Sequence, residues 1–189
     1  MRFLILLLIG ALVALGGDSL RHAQPDAPQK KAGAADPVVI DFQGYQKLLE
    51  KRRGKAVLVN FWATWCEPCR EEFPMLSELA RQHAPQGLVV LGVSLDEDVD
   101  INLVRGFLAR TKPGFPNFRK KPGKDEAFIN GVDVKWSGAL PATFFYDRDG
   151  RQAASLVGEH KRAEFDRIIQ QLLSAPTPTA AGTARKPAP

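Results

Sequence analysis

Cysteine is nearly absent from this chain: two in 189 residues, Cys66 and Cys69, with two residues between them. One such pair rules out the disulfide framework that holds small secreted scaffolds together. Histidine is almost as scarce, and His22, His83 and His160 stand alone in the sequence. With so few ligands and no ligand spacing, four-coordinate zinc is excluded, and no metal is expected. Cys69 is followed by Arg70, not by the histidine that covalent haem attachment requires. No other cofactor pattern occurs, and no internal repeat. Lys and Arg outnumber Asp and Glu by 26 to 21, a net charge of +5. These cations are scattered in short clusters without the aromatic-interleaved stripe of a nucleic-acid footprint, so nucleic acid is not an expected partner. The densest cluster, Arg119, Lys120, Lys121 and Lys124, lies beside Pro122 and Gly123 and reads as a solvated loop.

Long apolar runs are also missing, with one exception. After Met1 and Arg2 the chain is apolar from Phe3 to Gly17, where Asp18 ends the run. That is short for a membrane span but fits the h-region of an export signal. Small residues at Ala14 and Gly16 permit cleavage after Gly16, and a retained anchor fits equally. Residues 1–17 are therefore read as signal peptide or membrane anchor. The remainder is expected to be exported, to the periplasm or the outer face of the cytoplasmic membrane. Residues 18–36, with Pro25, Pro28 and few apolar side chains, read as a linker, and 174–189 as a disordered tail. Residues 37–173 remain as one domain.

Within that domain the pattern alternates. An amphipathic helix over Tyr45 to Arg52 ends at Gly54, and Ala56 to Phe61 is an apolar, β-rich run suited to a strand buried on both faces. A helix follows the cysteines with Phe73, Leu76, Leu79 and Ala80 on one face. Leu88 to Val93 reads as a second buried strand, and Val99 to Thr111 as a helix with Leu103, Phe107 and Leu108 inward. This order implies parallel strands joined by right-handed crossovers. Residues 112–140, rich in Pro, Gly and charge, read as an insertion or loop with one helical turn near Asp125 to Ile129. Thr143 to Tyr146 and Gln152 to Val157 flank Asp147-Arg148-Asp149-Gly150, a hairpin signature, and Lys161 to Leu173 forms a last amphipathic helix. A parallel βαβ unit followed by a C-terminal hairpin, with helices on both faces of a mixed sheet, is the α/β thioredoxin fold.

The segment Phe61-Trp62-Ala63-Thr64-Trp65-Cys66-Glu67-Pro68-Cys69 leaves a buried strand and enters a helix. Cys66 thus falls at a helix start, where unpaired N–H groups and the dipole stabilise a thiolate. Pro68 suits a first turn, where its missing N–H costs nothing. A static staple is a poor explanation for the pair: closing a ring of about four residues contributes only about 2 kcal/mol, against about 3 for fifteen. A bond that stabilises so little is better explained as one meant to open. Trp62 and Trp136 read as core. Trp65, one residue before the nucleophile, reads as the apolar rim that a partner covers.

The stretch FWATWCEPCREEFPML resembles the thioredoxin-like disulfide reductases of the bacterial envelope, the TlpA and ResA type, some of which serve cytochrome c maturation. The resemblance spans about residues 37–173. It implies that Cys66 attacks and Cys69 resolves. It also implies that Pro141, in Gly138-Ala139-Leu140-Pro141-Ala142-Thr143, is a cis-proline facing the disulfide. Turned that way, the Leu140 backbone is placed to bond an incoming extended peptide. With Trp65, Glu67 and Pro68 around the nucleophile, Leu140 and Pro141 complete the expected substrate-contact set. Glu72, three residues after Cys69, sits at the border of the apolar stripe; by the resemblance it exchanges a proton with Cys69. Asn60 stands where cytosolic thioredoxins carry an aspartate and cannot titrate, which moves the relay to Glu72. Pro74 is expected to bend the helix. Glu67, Glu71 and Glu72, opposed by Arg70 and the helix dipole, disfavour a thiolate and predict a reducing couple. The expected partners are protein disulfides, with a membrane thiol carrier as electron donor. Two rivals remain. A peroxidase is disfavoured because Cys69 would capture Cys66 first, and a non-catalytic binding module would lack a cysteine or Pro141.

Overall fold

The computed structural model describes residues 36–123 and 125–175. The expected signal or anchor, the linker up to residue 35, Lys124 and the tail from 176 lie outside the described residues. Five helices and six strands follow in the order β1 (Val38–Ile40), α1 (Phe42–Glu50), β2 (Ala56–Trp62), α2 (Glu67–His83), β3 (Leu88–Ser94), α3 (Ile101–Thr111), β4 (Asn117–Lys120), α4 (Asp125–Val132), β5 (Ala142–Tyr146), β6 (Gln152–Val157) and α5 (Arg162–Ser174). The strands form one sheet in the order β1-β4-β3-β2-β5-β6. Its first four members are parallel, and β5 and β6 run antiparallel to their neighbours.

Strand β2 is buried along its whole length because the sheet is covered on both faces. Alternation sends Leu58 and Trp62 to one face, among Phe73, Leu76 and Leu79 of α2, Val104 and Phe107 of α3, and Phe165 and Ile169 of α5. Val57, Val59 and Phe61 go to the other face, among Tyr45 of α1, Phe128 and Val132 of α4, and Trp136. At Gly92 of β3 a Cβ would come within 2.1 Å of the Asn117 side-chain oxygen, so a larger residue there would force the Asn117 side chain of β4 to shift.

Three expectations are corrected. Residues 112–140 hold a parallel strand, β4, between β1 and β3, and the eight-residue helix α4. Arg119 and Lys120, expected in a solvated loop, are buried on β4 at 6% and 1% exposure. Their charges are met instead of solvated: Arg119 pairs with Asp98 at 2.5 Å, and Lys120 with Asp125 and, at 3.9 Å, with Glu97. In α3 the inward residue is Val104, fully buried, while Leu103 is 59% exposed. The helix begins at Ile101 after a short turn of 3₁₀ helix over Asp98–Asp100, and it turns Val104 and Phe107 toward the sheet.

Candidate active site

Strand β2 ends at Trp62, and the chain then makes a four-residue passage to the mouth of α2. Cys66 is the N-cap of that helix, with extended backbone, and its Sγ accepts from the Cys69 N–H at 3.3 Å. An N-terminal amide of the helix therefore points at the sulfur that would carry thiolate charge. Pro68 occupies the first turn, and α2 continues through Pro74 to His83. Cys66 and Cys69 are joined in a disulfide with their Cα atoms 5.3 Å apart. Cys66 retains 6% exposure and Cys69 none, so only the first sulfur meets an incoming partner. Beside it the Trp65 side chain stands 66% exposed, and Glu67 is exposed in the first turn.

Antiparallel register places Ala142 opposite Phe61, and hence Pro141 at the end of β2 from which the cysteine passage departs. The Leu140–Pro141 peptide bond is cis. Two bonds fix this corner. The Trp136 indole N–H donates to the Ala139 carbonyl at 2.9 Å, and the Pro141 carbonyl accepts from the Gly158 N–H at 2.8 Å. Trp136 is itself anchored against Phe61 and Phe144, at ring distances of 4.8 and 5.3 Å, so it serves as core and not as groove lining.

Glu72 lies one turn past Cys69 and is 9% exposed. Burial pushes its carboxyl up to about 7, opposed by the positive charge of His160 and by a weak bond from Asn60, and reinforced by Glu159. That bond, from Asn60 Nδ2 to Glu72 Oε2, is 3.5 Å long; the same nitrogen donates to Thr143 Oγ1 at 3.1 Å. A cleft of about 210 Å³ opens over Glu72, lined by Pro68, Glu71, Met75, Glu159 and His160. The Gly158–His160 turn thus joins the cysteine helix and the cis-proline corner as a third wall. Sequence reasoning missed this wall, since residues nearly ninety positions from Glu72 carry no local signal. It also missed Thr64 and Asp96, whose bonds fix the passage before Cys66. There the one signal was a pair of polar residues, Ser94 and Asp96, at the end of an apolar run.

One sulfur at a helix N-terminus, a second sealed beneath it and joined to it, and a buried carboxyl alongside form an arrangement suited to dithiol exchange. The AhpC/TSA family profile matches residues 26–153. The chain belongs to the AhpC/TSA family. Within this family it is similar to the thiol-disulfide oxidoreductase ResA of Bacillus cereus, 28% identical over 172 residues, covering 90% of this chain and 95% of the relative. It is likewise similar to the thiol:disulfide interchange protein HelX of Rhodobacter capsulatus, 31% identical over 178 residues, covering 91% and 94%. Among solved structures, a thioredoxin-family thiol:disulfide interchange protein from Chlorobium tepidum superposes with a TM-score of 0.57 at 28% identity, covering 66% of this chain and 84% of that one. This AhpC/TSA member is accordingly a thiol–disulfide oxidoreductase of the thioredoxin fold, acting on protein substrates through its Cys66–Cys69 pair.

Proposed function

We propose that the enzyme runs as a reductase of disulfides in exported proteins, in the periplasm or on the outer face of the cytoplasmic membrane, fed by a membrane thiol carrier. The observation that carries the direction is the excess of carboxyl groups in the cleft: Glu71, Glu72 and Glu159 line it beside the cysteine helix against the one histidine, His160. The nearest cation on that helix, Arg70, is turned to the Thr64 carbonyl at 2.8 Å. Carboxylates near a sulfur disfavour its thiolate, which destabilises the dithiol relative to the disulfide and makes the couple more reducing.

In this reading the Cys66 thiolate attacks one sulfur of a substrate disulfide, an S–S bond forms between the proteins, and the other substrate sulfur leaves as a thiolate. The Cys69 thiol then gives its proton to the Glu72 carboxylate and attacks Cys66. The Cys66–Cys69 bond closes, the second substrate thiolate departs, and two electrons have passed to the substrate. A carboxyl titrating near neutrality is suited to take that proton and return it in the next cycle. An extended peptide lies against the Leu140 backbone with Trp65, Glu67, Pro68 and Pro141 around the reacting sulfur. By the family resemblance, the cysteine pair of apocytochrome c is one such substrate and cytochrome c maturation the process served.

Two measurements test this. Equilibration with dithiol buffers is expected to give a midpoint nearer the about −270 mV of thioredoxin than the about −120 mV of strong disulfide donors; a value at the oxidising end reverses the direction. The Cys69→Ser variant, produced with its export signal, is expected to trap envelope proteins as mixed disulfides on Cys66. Identification of the trapped proteins by mass spectrometry decides whether apocytochromes are among them.

A further inference from the structure

The passage Ala63–Trp65 belongs to no helix or strand, yet it delivers the nucleophile to α2. It is secured from the neighbouring strand. Ser94, the last residue of β3, pairs with Trp62, and the Leu95 N–H donates to the Trp62 carbonyl at 2.8 Å. Asp96 follows, 1% exposed. Both of its carboxylate oxygens accept from the Thr64 N–H, each at 3.0 Å. Oδ1 also accepts from the Thr64 hydroxyl at 2.5 Å, and Oδ2 from the Ser94 hydroxyl at 2.7 Å. The Ser94 oxygen in turn accepts from the Asp96 N–H at 3.0 Å. On the outer side the Arg70 guanidinium holds the Thr64 carbonyl.

Every polar group of Thr64 is therefore engaged, and the next two residues are Trp65 and Cys66. A buried carboxylate is costly to keep unless donors surround it, and these donors come almost entirely from the one residue that leads into the reactive segment. A serine or threonine alone would have closed the passage with one bond; the carboxylate closes it with three and clamps N–H and hydroxyl to the same group.

We propose that Asp96 is a positioning residue for thiol–disulfide exchange, acting through Thr64 to hold the Cys66 sulfur at the helix mouth and the Trp65 ring at the rim. Small displacements of a reacting atom are kinetically expensive, which gives the arrangement its purpose.

The test compares the full chain with Thr64→Val, Thr64→Ser and Asp96→Asn. For each reduced protein, the second-order rate with oxidised glutathione is taken per titrated Cys66 thiolate, alongside the melting temperature and the tryptophan emission spectrum, in which Trp65 is the exposed contributor beside buried Trp62 and Trp136. Normalising to thiolate separates placement of the sulfur from its ionisation, and the parent rate independently checks the exchange activity itself. Thr64→Val is expected to slow exchange about tenfold with a shifted emission, and Thr64→Ser to return to within about twofold of the parent. Asp96→Asn, which sets an amide donor against the Thr64 N–H, is expected to match the valine variant. Should Thr64→Val exchange at the parent rate while its melting temperature falls, the network is scaffolding alone and the proposal fails. It fails equally if the serine variant is as slow as the valine one. The threonine pair decides the matter even if Asp96→Asn does not fold.

Discussion

Two buried carboxyl groups flank the redox pair, and they have been treated in opposite ways. Asp96 accepts four hydrogen bonds, none longer than 3.0 Å, three from Thr64 in the passage before Cys66 and one from Ser94 at the end of β3. Glu72 receives one bond of 3.5 Å from an amide shared with Thr143, and its carboxyl is pushed up to about 7. Burial is similar at the two sites, so burial does not decide what a carboxyl does there. The supply of donors decides it. A carboxyl well supplied with donors is an acceptor that holds backbone, whereas at Glu72 the few donors leave burial to push the carboxyl up.

The contrast is sharpest under substitution. Asp96→Ala strips the acceptor from the Thr64 N–H, the Thr64 hydroxyl and the Ser94 hydroxyl together. Leaving several buried donors unmet is expected to destabilise the fold by about 3 kcal/mol or more in denaturant unfolding. Glu72→Gln should act in the reverse sense and only in part of the pH range. The unfolded chain releases this proton near 4.5 and the folded chain near about 7, so between those values the folded state holds the extra proton. The stability associated with it is complete below about 4.5 and is lost as pH rises through about 7. Above that, the parent carries a buried charge costing about 3 kcal/mol that the glutamine variant does not, and the variant should be more stable by that order. Equal pH profiles for parent and variant would remove the distinction between the two carboxyls.

Smaller changes probe the surroundings of Glu72. His160→Ala takes away the charge that opposes its burial, so the falling limb of the stability profile should move to higher pH. Thr143→Val leaves Asn60 Nδ2 with only the weak Glu72 contact and should cost about 1 kcal/mol, read from the unfolding midpoint. Asn60 Oδ1 already lacks a partner among the described residues, and nothing there accounts for it.

Legibility in the sequence followed the range of the interaction. Strands β2 and β3 were visible because a strand buried on both faces is apolar throughout, and the hairpin because Asp-Gly marks its turn. The cysteine pair was visible because its chemistry is written within a few neighbouring residues, and the cis-proline before β5 because the family resemblance implied it. Strand β4 was hidden, since its sequence Asn-Phe-Arg-Lys is tolerated in the sheet only through Asp98, Glu97 and Asp125, which pattern reading assigns to solvent. Leu103 was misplaced because it neighbours Val104 at the edge of the apolar stripe, and periodicity does not show how the helix is rotated on the sheet. Asp96, Glu159 and His160 depend on where separate strands end, and periodicity holds no record of that.

One consequence follows from the unequal exposure of the two sulfurs. Electrophiles and oxidants find a single address on the reduced molecule, and an oxygen atom added at Cys66 is expelled as water when Cys69 closes on it from beneath. The damage product is thus the resting disulfide itself. The pair is in this way guarded from overoxidation by its own geometry, and one reduction of the disulfide restores it.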